Sequence, residues 1–85
     1  MQIGQIVFSK AGRDKGGIFV VIRTEGDYAY LADGETRRLE KPKKKKFMHI
    51  QKTNNVCGEI KEKIEEKRIM NSDIAKAIHR INLST

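Results

Sequence analysis

The first half of the chain alternates short apolar runs with glycine-rich or charged turns, which is the pattern of a small β-protein. The runs are rich in β-branched and aromatic side chains, and these residues favour strands. Five strands are predicted, over residues 5–9, 18–22, 28–32, 35–39 and 47–51. Because the second run is apolar at every position, we expect it to lie centrally, with both faces covered. Five short strands with tight turns predict a closed or nearly closed barrel, since closure removes exposed strand edges.

The pattern changes after residues 52–55, Lys-Thr-Asn-Asn, which are predicted to form a linker. Residues 58–68 are rich in Glu and Lys and predict a first helix. A second helix is predicted to begin at Asn71 or Ser72, because these residues can cap its first turn. Its apolar positions recur at the helical spacing i, i+3, i+4 and i+7. They are Ile74, Ala77, Ile78 and Ile81.

The predicted fold class is therefore mostly β with a small α appendage, in two parts. Residues 1–53 form a basic five-stranded barrel, and residues 54–85 form a C-terminal extension of one or two short helices. The helices are expected to pair with each other or to pack on the barrel. A third alternative is that Ile74, Ile78 and Ile81 form an open face that docks on a protein partner.

Charge is concentrated in the predicted barrel. The 85-residue chain has a formal net charge of +7, and residues 1–53 hold 12 of its 18 Lys and Arg residues. A field of this sign attracts polyanions, of which nucleic acid is the first candidate and an anionic membrane the second. The basic residues therefore favour the barrel as the binding part of the chain.

Other function classes find little support in the sequence. Cys57 is the only cysteine, so no internal disulfide can form. His49 and His79 lie far apart and far from the cysteine, so metal-ligand spacing is missing, and no catalytic constellation stands out. No signal peptide and no apolar run of about 20 residues is found. We expect a cytoplasmic protein that is not an enzyme, needs no cofactor and does not contact a membrane.

The most distinctive segment is the glycine loop, Ala11-Gly12-Arg13-Asp14-Lys15-Gly16-Gly17, between the first two strands. Gly12 and Gly16 can adopt backbone conformations that are closed to other residues. A tight loop of this kind could direct its backbone N–H groups, with Arg13 and Lys15, towards a phosphate. It could equally be an ordinary hairpin loop whose charges are solvated.

A lysine run, formed by Lys41 and Lys43 to Lys46, follows the fourth predicted strand and is expected to be a basic loop held against the barrel. Lysines are point charges, so such a run contributes affinity more than sequence choice.

Tyr28 and Tyr30 share one face of the third strand and could stack bases or pack in the core. The full set of predicted RNA-binding residues is Lys10, Gly12, Arg13, Lys15, Gly16, Arg37, Arg38, Lys41, Lys43, Lys44, Lys45 and Lys46.

These segments resemble a known family. Residues 4–22, with the centre Gly12-Arg13-Asp14-Lys15-Gly16, resemble the KOW motif of ribosomal proteins and transcription elongation factors. With Leu31-Ala32-Asp33-Gly34 and the basic stretch 37–46, residues 3–53 look like the short bacterial KOW-domain RNA-binding proteins. Those are similar to a KOW family of large-subunit ribosomal proteins. The resemblance implies an SH3-like five-stranded barrel, RNA binding, and an association with the ribosome or translation.

The leading hypothesis is thus a non-catalytic module that binds RNA, with ribosomal RNA as the expected partner. On this hypothesis one basic face is lined by Arg13, Lys15, Arg37, Arg38 and the lysines of residues 41–46. The alternative is a small-barrel adaptor that binds a protein partner through the second helix. DNA binding is a third hypothesis, but Lys76, His79 and Arg80 offer little for reading bases in a groove.

Overall fold

A computed structural model describes the backbone of residues 1–84 and the side chains of residues 1–81. It contains five antiparallel strands in one sheet and two helices, so the chain is mostly β with a small helical part. The elements in chain order are β1 (Gln5–Ser9), β2 (Ile18–Glu25), β3 (Tyr28–Ala32), β4 (Lys43–Lys46), a 3₁₀ turn (Phe47–His49), β5 (Ile50–Val56), α1 (Gly58–Glu65) and α2 (Asn71–Ser84).

The strand order in the sheet is β4-β3-β2-β1-β5, which places β2 at the centre, as its apolar sequence predicts. The two edge strands are also consecutive in the chain, joined only by the 3₁₀ turn. From Lys46 to Ile50 the chain spans at most about 15 Å at 3.8 Å per residue. Five strands in a flat sheet would hold their edges about 19 Å apart. The sheet therefore curls, although no ladder pairs β4 with β5 across the opening.

Each face of the sheet has its own apolar cluster, because successive strand residues point to opposite faces. On one face the buried residues are Val7, Phe19, Val21, Ala29, Leu31 and Ile50, with Phe47 and Met1 packed against them. On the other face the sheet and the helices share one cluster, formed by Ile6, Val20, Ala32, Ile60, Ile74 and Ala77. The helices thus belong to the same core as the sheet.

The fourth strand lies elsewhere than predicted. Residues 35–39 form a loop, because the carboxylate of Asp33 accepts backbone N–H bonds from Glu35 (2.9 Å) and Arg37 (2.8 Å). The Thr36 hydroxyl also donates to this carboxylate. A short polar side chain that bonds nearby backbone groups in this way competes with strand pairing. The lysine run, predicted as a loop, instead forms β4 and pairs with β3.

The fifth strand begins later and runs further than predicted. The 3₁₀ turn occupies positions 47–49, and β5 continues through the predicted linker 52–55 to Val56. Long-range bonds hold the segment beside β1: the Thr53 hydroxyl donates to the Ile6 carbonyl (2.7 Å), and Gln5 Nε2 donates to the Thr53 carbonyl (2.8 Å). The predicted boundary after residue 53 therefore falls inside a strand.

Helix α1 is shorter than the predicted range 58–68. Lys67 has a φ of 58°, and the N–H groups of Lys67 and Arg68 bond the carbonyls of Ile64 and Lys63. This is the hydrogen-bond pattern of a Schellman motif, which ends a helix. The short turn that follows leads directly into α2.

The apolar face of α2 is used within the chain. Ile74 and Ala77 are buried against the sheet, and Ile78 and Ile81 pack against the same cluster. Of the alternatives considered, packing on the sheet is the one observed, and an open docking face that includes Ile74 does not hold because Ile74 is fully buried. The amphipathic pattern correctly identified a buried face but could not identify what covers it.

Candidate nucleic-acid interface

The glycine loop is a tight, internally bonded turn. Gly12 and Gly16 have φ values of 87° and 88°, in the left-handed region that glycine favours. The N–H groups of Lys15, Gly16 and Gly17 donate to the carbonyls of Gly12 (3.2 Å), Ser9 (2.9 Å) and Asp14 (2.8 Å). These three N–H groups are thus engaged within the loop, so the prediction that the loop's N–H groups grip a phosphate does not hold for them.

A buried ion pair ties the glycine loop to β4. Lys45 Nζ lies 2.9 Å from Asp14 Oδ1 and donates to the Ala11 carbonyl at 2.7 Å. The Ser9 hydroxyl lies 2.8 Å from the same carboxylate oxygen. Burial alone would raise the pKa of Asp14, but the hydrogen bonds from Lys45 and Ser9 and the charge of Lys45 outweigh it and lower that pKa. Lys45 is therefore a structural residue, only 8% exposed, and not a nucleic-acid contact.

The other lysines of β4 divide between the two faces of the sheet. Lys44 and Lys46 are exposed and point away from Lys45, whereas Lys43 is half-buried on the side of Lys45. The prediction that the lysine run lines one basic face is wrong. A strand alternates its side chains with a period of two, so a run of lysines on a strand cannot stay on one face.

Lys44 and Lys46 lie beside two tyrosines on the neighbouring strand. The β3–β4 register pairs Tyr28 with Lys46 and Tyr30 with Lys44. Lys44 Nζ lies 4.6 Å from the centroid of the Tyr28 ring, and Lys46 Nζ lies 5.8 Å from it. These distances are within the range of cation–π contacts.

Arg23 completes this surface. Its Cζ lies 4.0 Å from the centroid of the Tyr30 ring, and its side chain is exposed. We call the group Arg23, Tyr28, Tyr30, Lys44 and Lys46 the outer patch. One acidic side chain borders it, since Glu25 Oε1 lies 4.0 Å from Lys44 Nζ.

Sequence reasoning missed Arg23, although a signal for it exists. The turn between β2 and β3 consists of Gly26 and Asp27, and residues equally distant from a two-residue turn face each other. Counting outwards from this turn predicts that Arg23 lies opposite Tyr30, and the structure has this pair. An arginine opposite a tyrosine on a hairpin is a cross-strand pair that can stack.

The remaining predicted contacts are not members of the outer patch. Arg37 and Arg38 are on the loop that Asp33 organises, and Arg38 Nε is 3.4 Å from Glu40 Oε2. That loop is bonded to the start of α2, because Asn71 Oδ1 accepts the N–H of Leu39 at 2.7 Å. On the glycine loop the exposed residues are Gly12, Arg13, Lys15 and Gly16, with Lys10 exposed just before it and Lys41 exposed ahead of β4. The twelve predicted residues thus fall into three groups, on the glycine loop, on β4 and on the 33–42 loop.

The part of the chain that the structure describes holds no group of three or more His, Cys, Asp or Glu side chains arranged to bind a metal. Within residues 1–84, neither helix has the length and apolar content needed to cross a bilayer.

No protein-family model matches the chain, and a search of curated proteins finds no significant match.

Proposed function

We propose that this chain is a non-catalytic RNA-binding module with an SH3-like, KOW-type barrel, acting in the cytoplasm on ribosomal or other structured RNA. A five-stranded antiparallel sheet whose edges are drawn together by a single 3₁₀ turn is compatible with such a barrel. The resemblance of residues 3–53 to KOW-domain proteins favours the same assignment.

The observation that carries the proposal is the outer patch. Exposed cations on β2 and β4 lie over the rings of two tyrosines on β3. Proteins that bind single-stranded nucleic acid combine these two elements, because cations bind the phosphates and aromatic or guanidinium planes stack the bases. Tyr28 and Tyr30 are half-buried, so neither is enclosed in the core.

The three cations of the outer patch are proposed to contact phosphates, and their side chains are exposed. They are Arg23, Lys44 and Lys46. Binding would release the counterions condensed on the RNA, which makes the affinity salt-dependent. Lys45 is not among these contacts, since its ammonium is already bonded to Asp14 and Ala11.

The test is a fluorescence-anisotropy titration of a labelled RNA hairpin at several salt concentrations. Three phosphate contacts predict a slope of log affinity against log salt of roughly −2.1 to −2.7. The double variant Lys44→Ala/Lys46→Ala should reduce the magnitude of this slope by about 1.4–1.8. The matched control is Lys61→Ala/Lys76→Ala, which removes two exposed lysines from the helices.

A flat salt response of the unmodified protein would contradict the proposal. An equal loss of affinity in both double variants would show that only net charge matters and would remove the outer patch from it. Ribosome association has its own measurement, which is sedimentation of the protein in cell extract with and without ribonuclease. Co-migration with ribosomal particles should disappear after ribonuclease treatment.

A further inference from the structure

We infer that a cleft next to Tyr30 receives an unpaired nucleobase, so that the preferred ligand is RNA with single-stranded or bulged nucleotides. This inference rests on the proposed RNA-binding function and specifies which form of RNA is bound. The cleft has a volume of about 320 Å³. Its lining residues are Ile22, Arg23, Tyr30, Leu39, Pro42, Ile64 and Ile69.

The chemistry of this lining suits the flat, largely apolar face of a base. Five of the seven residues are aliphatic, and none is acidic. The two polar members are Arg23 and Tyr30, which are stacked on each other with 4.0 Å between the guanidinium carbon and the ring centroid. Ligand sites typically combine an apolar lining with a few placed polar groups of this kind.

The charges around the cleft select a ligand that carries phosphates. Lys44 Nζ lies 5.8 Å from the Tyr30 ring centroid, so it stands close to the cleft, and Lys46 follows on the same face of β4. Tyr28 and Tyr30 are two residues apart on one strand, which separates them by about 6.7 Å. Cations in a row beside an apolar cleft fit an extended strand whose backbone follows β4 while one base enters the cleft.

A base inside a duplex cannot enter this cleft, because it is paired and stacked between its neighbours. An unpaired base can leave the strand and place one face against a planar side chain. Arg23 offers such a plane, and a lysine at the same position would keep the charge without the plane. This difference separates base stacking from simple phosphate attraction.

The experiment compares a labelled RNA single strand with the same strand annealed to its complement, at equal salt. The single strand should bind at least about fivefold more tightly than the duplex, since one stacked base contributes roughly five- to 150-fold in affinity. Arg23→Lys should weaken single-strand binding about fivefold or more, while duplex affinity and the salt slope stay unchanged. Arg23 is exposed, so this variant keeps the fold.

A second variant tests the cleft itself. Ile69→Phe places a larger side chain in the cleft and should also weaken single-strand binding selectively. Met70→Phe is the matched control, because Met70 is adjacent, 61% exposed and not part of the cleft lining. Melting curves of both variants establish that the fold is retained.

The outcomes distinguish this inference from the proposed function. Equal affinity for single strand and duplex with a normal salt slope, together with a silent Arg23→Lys, would overturn the cleft assignment and leave RNA binding intact. Absence of salt-dependent binding to either RNA would overturn both. Selective loss in Arg23→Lys and Ile69→Phe, with Met70→Phe unchanged, is the result expected.

Discussion

Replacement of Lys45 by methionine tests whether the buried ion pair holds the glycine loop on β4. Methionine keeps the length of the side chain and removes the ammonium. The change removes the ammonium that is bonded to both the Ala11 carbonyl and the Asp14 carboxylate, and it leaves only the Ser9 hydroxyl within hydrogen-bond distance of the two among the described side chains. Asp14 Oδ2 is already buried without a hydrogen-bond partner among the described residues, and the single hydrogen of the Ser9 hydroxyl can serve either Asp14 Oδ1 or the Ala11 carbonyl but not both, so the loss is only partly compensated.

The size of the effect can be bounded from the structure. A hydrogen bond to a charged group contributes about 1.5–3 kcal/mol, which sets the lower bound. The free energy lost by leaving the Asp14 charge unpaired cannot exceed the free energy needed to protonate Asp14, whose ordinary pKa is 3.8. At pH 7 this amounts to about 4.4 kcal/mol, at 1.36 kcal/mol per pH unit. Since the Asp14 side chain is 21% exposed, we expect a loss of about 2–4 kcal/mol in unfolding free energy.

The pH dependence of this loss follows from the pKa of Asp14. In the unmodified protein the folded-state pKa is lowered, so its contribution to stability is present above pH 3.8 and is lost as the pH falls through the folded value. In Lys45→Met burial should raise the folded pKa instead. The variant then gains stability as the pH falls from 7 towards 4, and at pH 5 the charge part of the loss cannot exceed about 1.6 kcal/mol.

The assay is thermal and urea unfolding followed by circular dichroism at pH 7 and pH 5. A loss of 2–4 kcal/mol should lower the Tm by roughly 10–30 °C in a domain of this size. Lys44→Met is the control, because it makes the same replacement at the adjacent, exposed position of β4. The reasoning fails if both variants melt within about 2 °C of the unmodified protein, or if the loss in Lys45→Met is the same at both pH values.

Two further predictions concern the contact between the sheet and the helices. Gly34→Ala should lower the free energy of unfolding by about 2–4 kcal/mol in urea, because φ is 82° and the added Cβ would clash with the Asn71 carbonyl oxygen. Gly26→Ala is the control, since Gly26 has a φ of 58° in open space and its replacement should cost about 1 kcal/mol. Equal costs for the two variants would contradict the close approach of Gly34 to α2. Ile74→Ala should cost about 2–5 kcal/mol because its side chain is fully buried against the sheet. The exposed Met70 provides the comparison through Met70→Ala, and a Tm for Ile74→Ala equal to that of Met70→Ala would mean that α2 does not share the core.

Much of the sheet could be predicted because its signals are local. Apolar or aromatic runs ended by glycine turns located β1 and β3 at their observed bounds, and the all-apolar run 18–22 located the start of β2, which continues to Glu25. The prediction failed at residues 35–39, where Asp33 bonds the backbone of its own loop. A pattern of alternating residues does not reveal that competition, because it depends on side-chain geometry.

The candidate site was less accessible from sequence. The run 43–46 contains only lysines, so no apolar position marks which side chains point inwards. Pairing with β3 decides which lysines point inwards, because it sets Lys45 opposite the buried Ala29. Its partner Asp14 lies 31 residues away in sequence, and only the curled sheet brings the two together.

By itself the sequence determined that this chain is a small, basic, mostly β protein with a glycine loop, two tyrosines on one strand face and an amphipathic last helix. These properties follow from composition and from the periods of strand and helix, which are local. Only the tertiary structure decided that Lys45 is structural, that Arg23 joins the outer patch and that the apolar face of α2 is covered by the sheet. Each of these depends on register or on long-range contact, which a residue's chain neighbours do not specify.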